Sequence, residues 1–202
     1  MRTNLARLFT VGSLFATAFA TPVPSTQQSE GRVRSLADIF ADVEAHISAA
    51  VSICTSSGID ALAALDARAA VAAQLRADLE AAAEVLAEAT AEIQASAESA
   101  VIAANRGCDE SCGKQIIIEH SQTFCDGIKT LVETLGEDCV KPYIKPCVQN
   151  FGSFISVCGG IFAGVASSVG AIVQTVLGAT LSLDLGLDIG ALLGLGGILG
   201  IL

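Results

Sequence analysis

Tryptophan is absent from this chain, tyrosine and methionine occur once each, and only 4% of the residues are aromatic. So few large flat side chains leave little with which to anchor a specific interface. Charge is scarce too, at 16% of residues, and it is unbalanced: 11 basic against 21 acidic residues give a net charge of −10. An acidic chain repels phosphate backbones and anionic headgroups, which excludes nucleic acid as an electrostatic partner. No Asn-x-Ser/Thr sequon occurs, so N-linked sugar does not supply solubility.

Catalytic equipment is equally thin. There is no HExxH, no GxSxG and no P-loop. The only histidines are His46, in an alanine-rich stretch, and His120, next to Glu119. A Cys/His hydrolase needs a free cysteine near His120, and disulfide formation would remove it. The carboxylates are strung along one helix face, not paired. The sequence therefore predicts a protein that is not an enzyme and uses no cofactor.

What the chain has in abundance is small and branched apolar residues. Hydrophobic types make up 52% of it, and the mean hydropathy is +0.61. That is too apolar for intrinsic disorder and high for an ordinary globular domain.

Residues 1–20 read as a secretory signal. Arg2 and Arg7 form the basic start, Leu8 to Phe19 the apolar run, and Ala18-Phe19-Ala20 a small-x-small cleavage site. Cleavage there takes the net charge from −10 to −12, because two arginines and no acid are lost. Residues 21–34 hold two prolines and no periodicity, the pattern of a flexible leader. Arg32 and Arg34 within it are either a trimming site for a secretory protease or incidental.

The other end of the chain is a Gly-rich apolar tail, read here as residues 159–202. In the 57 residues after Lys145 the only charges are Asp184 and Asp188, and the 29 residues from Ile155 to Leu183 carry none. That run is long enough to span a bilayer. Gly160 and Gly164, then Gly186, Gly190 and Gly194, recur at four-residue spacing, which on a helix makes a flat stripe for close approach. Eleven glycines between 159 and 202 nevertheless weaken any single long helix. Leu181, Leu183, Leu185, Leu187 and Ile189 alternate with polar residues or glycine, the period of a strand with one greasy face. Such a strand, exposed, pairs with copies of itself. Three readings of the tail stay open: a membrane-inserting helix, a self-associating surface, and packing into the core.

The middle of the chain, residues 35–105, predicts alanine-rich amphipathic helices. Ser35 and Asp38 have the spacing of a capping pair. Leu36, Phe40, Val43, Ile47, Val51 and Cys54 then recur every three or four residues, about five turns, until Thr55 to Gly58 break the pattern. A second stripe runs Leu62, Leu65, Ala72, Leu75, Leu79, Ala82, Leu86, Ala89, Ile93, Ala97 and Val101, and 20 of the 44 residues from 61 to 104 are alanine, the best helix former. Its polar face carries Asp66, Asp78, Glu80, Glu84, Glu88, Glu92 and Glu98 against Arg68 and Arg76. This row reads as a solvated face in preference to a cation-binding rail. The two helices should pair as a hairpin.

Residues 106–158 hold six of the seven cysteines: Cys108, Cys112, Cys125, Cys139, Cys147 and Cys158. Behind a secretory signal this predicts three disulfides, with fifteen possible pairings that spacing alone does not separate. Cys54 is the odd one, a buried thiol, an intramolecular partner or an intermolecular bridge; with no basic neighbour to lower its pKa, the first two are preferred. Cys108, Cys112 and His120 come nearest to zinc-ligand spacing, but no second knuckle follows, so no metal is expected. The segment is helical in period except at Lys141 to Pro146, whose two prolines should prevent one regular helix. The predicted class is all-α: a hairpin, a disulfide-stapled helical segment, and the apolar tail as helix or short strand.

In organisation the chain resembles the small secreted cysteine-containing proteins of filamentous fungi, among them effectors of plant pathogens and cell-wall adhesins. The resemblance rests on the signal, the polar leader, the alanine-rich helices, the six-cysteine segment and the glycine-rich end together. Hydrophobins share cysteines and apolar surface but have eight cysteines with two adjacent pairs, a pattern this chain lacks. Saposin-like domains are also helical with six cysteines, at wider spacing. The resemblance implies a secreted, extracellular or wall-bound protein. Its partners would be the cell wall or other hydrophobic surfaces and copies of itself, and it would promote surface hydrophobicity, adhesion, aggregation or virulence. A soluble host-directed effector and a membrane-inserted protein are the alternatives.

Overall fold

A computed structural model describes residues 33–57, 65–105 and 108–177, within a compact unit that begins at Arg32. These residues form six helices and, among the described residues, no strand: α1 (Leu36–Ser57), α2 (Leu65–Ala95), α3 (Glu98–Ala104), α4 (Glu110–Leu135), α5 (Glu137–Ile161) and α6 (Val165–Val176). The protein is all-α, an alanine-rich hairpin joined to a helical segment that holds a disulfide between Cys108 and Cys112.

Four helices form a bundle in the spatial order α1, α2, α5, α4, and α6 packs onto α4 and α5. Side-chain contacts fix the directions. Phe40 lies on His120 and Ile47 lies against Gly127, an advance of seven residues on each helix, so α1 and α4 run parallel. Arg34, just before α1, bonds Glu92 near the end of α2, so those two run antiparallel. Gly136 alone joins α4 to α5 with a φ of +78°, a left-handed backbone that favours glycine.

Most of the expected stripe is buried, with Val51 half-buried and Ala72 and Ala97 exposed. Leu36, Ile39, Phe40, Val43, Ile47, Ala50 and Cys54 of α1 are buried, as are Leu75, Leu79, Ala82, Leu86, Ala89 and Ile93 of α2. The phenylalanines beyond the first twenty residues all enter the core: Phe40, Phe124, Phe151, Phe154 and Phe162. Phe124 stacks on Phe151 at 4.2 Å, joining α4 to α5, and Phe40 meets Phe154 edge-on at 5.5 Å, joining α1 to α5. The scarce aromatic side chains serve the interior, where each contributes on the order of 2–3 kcal/mol by burial.

Four boundaries differ from the sequence reading. The helix expected to continue to Val101 stops at Ala95; Ser96 turns its hydroxyl onto the Glu92 carbonyl and Ala97 is extended, so that α3 can bury Val101. Pro142 and Pro146 lie inside α5, where a break was expected. Both face solvent, while Val140, Ile144, Cys147 and Val148 are buried on the other side. That burial outweighs the roughly 3 kcal/mol proline penalty. Val33 and Arg34, read as the end of the leader, pack against the body and bond to it.

The fourth difference concerns the tail, for which packing into the core was one of the three open readings. Its first part, residues 159–177, completes α5 and forms α6, with Phe162, Val165, Val169, Val173 and Leu177 in the core. Residues 178–202 lie outside the described residues, and with them the period-2 segment. Among the described residues no helix is long and apolar enough to cross a membrane.

Candidate functional site

The cysteines are the chain's main chemical resource, and helix position sorts them. Asp109 caps α4, its carboxylate accepting the Cys112 N–H at 2.8 Å. Cys108 precedes that cap and Cys112 is the third residue of the helix, which puts their Cα atoms 5.2 Å apart and joined. Cys112 is exposed and Cys108 half-buried.

The other expected bridges are not present among the described residues. Cys125, Cys147 and Cys158 are unbridged thiols at core positions of α4 and α5, packed as small hydrophobic side chains. The side chain of Cys139 lies outside the described residues. Cys54 is likewise buried and unbridged on the inner face of α1. Burial pushes the Cys54 thiol up, and it pushes Cys125, Cys147 and Cys158 each up to about 12. Asp126 adds a smaller upward push on Cys125. A thiol held protonated is neither nucleophile nor metal ligand.

His120 sits where α1 meets α4. Its Nδ1 donates to Glu44 Oε1 at 2.7 Å, and its ring stacks on Phe40 with centroids 5.0 Å apart and planes 10° from parallel. Glu44 was not singled out by sequence, because it stands in α1 far from His120. Ser121 is the neighbouring hydroxyl, but it is fully buried on the core side of α4 and its Oγ has no hydrogen-bond partner. His46 is half-buried on α1. Among the described residues no three His, Cys, Asp or Glu side chains are grouped to hold a metal ion, Cys108, Cys112 and His120 included.

The acidic face of α2 carries its own counter-charges. Arg76 donates to Glu80 at 2.7 Å. Arg34 binds Glu92 twice, through its backbone N–H and its Nε, and its guanidinium lies within 4.0 Å of Asp42 and Glu88. Glu84 and Glu98 are exposed.

The two self-association glycines that the structure describes do not share a helix face. Gly160 lies in the last turn of α5 and Gly164 is the N-cap of α6 with a φ of +77°, and both are exposed. The turn between them breaks the predicted stripe. Leu181, Leu183, Leu185, Leu187, Ile189, Gly186, Gly190 and Gly194 lie outside the described residues.

Sequence reasoning missed the polar residues that tie helices together. Asn150 Nδ2 donates to the Ala83 carbonyl at 2.8 Å, linking α5 to α2. Gly127 and Gly113 are points of close approach, where a Cβ would stand 2.4 Å from Ile47 Cγ2 and 2.5 Å from Phe162 Cε1 respectively. The available signal was a small residue on the inner stripe of α4. No family model, no curated protein and no solved structure matches this chain.

Proposed function

We propose that this is a secreted, non-enzymatic surface-active protein of the fungal cell wall, in which a helical body carries an apolar end that promotes surface hydrophobicity, adhesion or aggregation. The observation that carries the reading is a contrast along the chain. The five longer helices bury their apolar stripes against one another as far as Leu177. Beyond it come 25 residues with 12 leucines and isoleucines and two charges. An apolar patch of more than a few hundred Å² drives association and repels water.

The body begins its last core helix at Val165, so an informative truncation falls after Leu177, not at Gly159. The mature chain should associate in solution and coat hydrophobic beads. The 21–177 chain, and a full-length L183S/L185S/L187S variant, should be monomers that do not coat them. If both coat beads as well as the parent, the reading is wrong.

One finding favours a second reading, a soluble effector that binds a host protein. Residues 159–177 fold into the body, as that reading requires of the tail. A monomeric full-length chain on size-exclusion chromatography without detergent would select it.

A further inference from the structure

We propose that Cys108 and Cys112 form a reversible thiol–disulfide exchange site for small thiols, in addition to any role as a staple. Four observations converge on it. First, the pair is reachable: Cys112 is exposed and Cys108 half-buried. Second, the bridge spans four residues, so opening it releases no long-range constraint, and such a short loop gains little from closure entropy.

Third, the turn that holds the two cysteines together is built without the bridge. Asp109 Oδ1 accepts the Cys112 N–H at 2.8 Å, the Gly113 N–H donates to the Asp109 carbonyl at 2.9 Å, and the Cys108 N–H donates to the Asn105 carbonyl at 2.9 Å. Gly113, the next residue, is wedged under the Phe162 ring. After reduction the two sulfurs stay neighbours, which makes reclosure effectively intramolecular. Fourth, Cys54, Cys125, Cys147 and Cys158 are all buried, so among the cysteines whose side chains are described only the outer pair is open to exchange.

The chemistry balances with a small thiol as reductant. A thiolate attacks the Cys112 sulfur, the new S–S bond forms as the Cys108–Cys112 bond breaks, and the electron pair leaves on Cys108, which takes a proton from water. A second thiolate attacks the small-molecule sulfur of the mixed disulfide. The small disulfide departs, and Cys112 leaves as a thiolate and is protonated. Two thiols are oxidised and the protein pair gains two electrons and two protons.

The test uses the full chain equilibrated with glutathione at a series of reduced-to-oxidised ratios, quenched in acid, alkylated and mapped by peptide mass. The expected result is a smooth conversion of Cys108 and Cys112 between bridge and dithiol, reversed by oxidised glutathione, at constant helicity by circular dichroism. In the reduced native chain Cys125, Cys147 and Cys158 should alkylate roughly a thousandfold more slowly than Cys112, given thiols raised to about 12. A C108S/C112S variant should keep its helicity. The proposal is overturned if the bridge stays closed until denaturant is added. It is equally overturned if reduction or the double substitution melts the helices.

Discussion

The Leu36 backbone N–H donates to Asn105 Oδ1 at 2.9 Å, so the first turn of α1 is capped from a residue 69 positions away. Asn105 is 7% exposed, and its Nδ2 donates to the Val101 carbonyl at 2.8 Å. One amide group thus satisfies an orphan donor of one helix and an orphan acceptor of another. Ser35 meets the same helix end locally: its Oγ accepts the Asp38 N–H at 3.2 Å and donates to the Asp38 carboxylate at 2.6 Å.

Replacing Asn105 by Leu leaves both backbone groups buried and unbonded. The expected loss is about 2–4 kcal/mol. Urea unfolding should show a lower midpoint at unchanged slope. Ser35→Ala, at the exposed cap, should lose only about 1 kcal/mol.

Gly127→Ala sets helix propensity against packing. Alanine gains about 1 kcal/mol in an exposed helix, but here its Cβ would stand 2.4 Å from Ile47 Cγ2. Overpacking of this kind loses about 1–3 kcal/mol, so the net change is destabilising. In an Ile47→Ala background, where the obstructing methyl is gone, Gly127→Ala should become neutral or stabilising, and a double-mutant cycle measures the coupling. Equal effects in both backgrounds would contradict the contact.

The buried thiols predict an alkaline limit to stability. Cys125, Cys147 and Cys158 rise from the ordinary 9.0 to about 12 in the folded chain. Between those values the unfolded chain has released protons that the folded chain still holds, so stability is complete below pH 9 and falls as pH rises toward 12. Each thiol contributes a slope of up to about 1.4 kcal/mol per pH unit. The measurement is the difference in slope between the parent and a C125A, C147A or C158A variant.

His120→Ala removes the Glu44 hydrogen bond and the ring stacked on Phe40, which is itself fully buried. About 1–2 kcal/mol should be lost, lowering the melting temperature by roughly 2–8 °C. Glu44→Gln keeps an acceptor at the same place and should have a smaller effect. If the two variants melt together, the stacked ring contributes nothing beyond the carboxylate.

Local rules made much of the body legible. The stripe from Leu36 to Cys54 needed only its period, and the Ser35 cap only its spacing, because the groups involved are neighbours along one helix. Cys108 and Cys112 are bridged as candidates named from the sequence, whereas Cys125, Cys147 and Cys158, also named, are thiols for a physical reason. A count of six behind a signal sequence predicts pairing, but pairing depends on which helix faces meet. Cys125, Cys147 and Cys158 face the core as packing side chains. The same holds for His120, whose partner Glu44 is unremarkable until α1 and α4 lie parallel.

By itself the sequence determined an all-α body with acidic alanine-rich helices and the apolar end that follows them, because helix propensity and hydrophobic period are local properties. Only the tertiary structure decided that residues 159–177 fold into the body, that two prolines sit within α5, and that four thiols are buried and unbridged. Burial against distant helices fixes all three, and the energy of that burial is not written in any one segment.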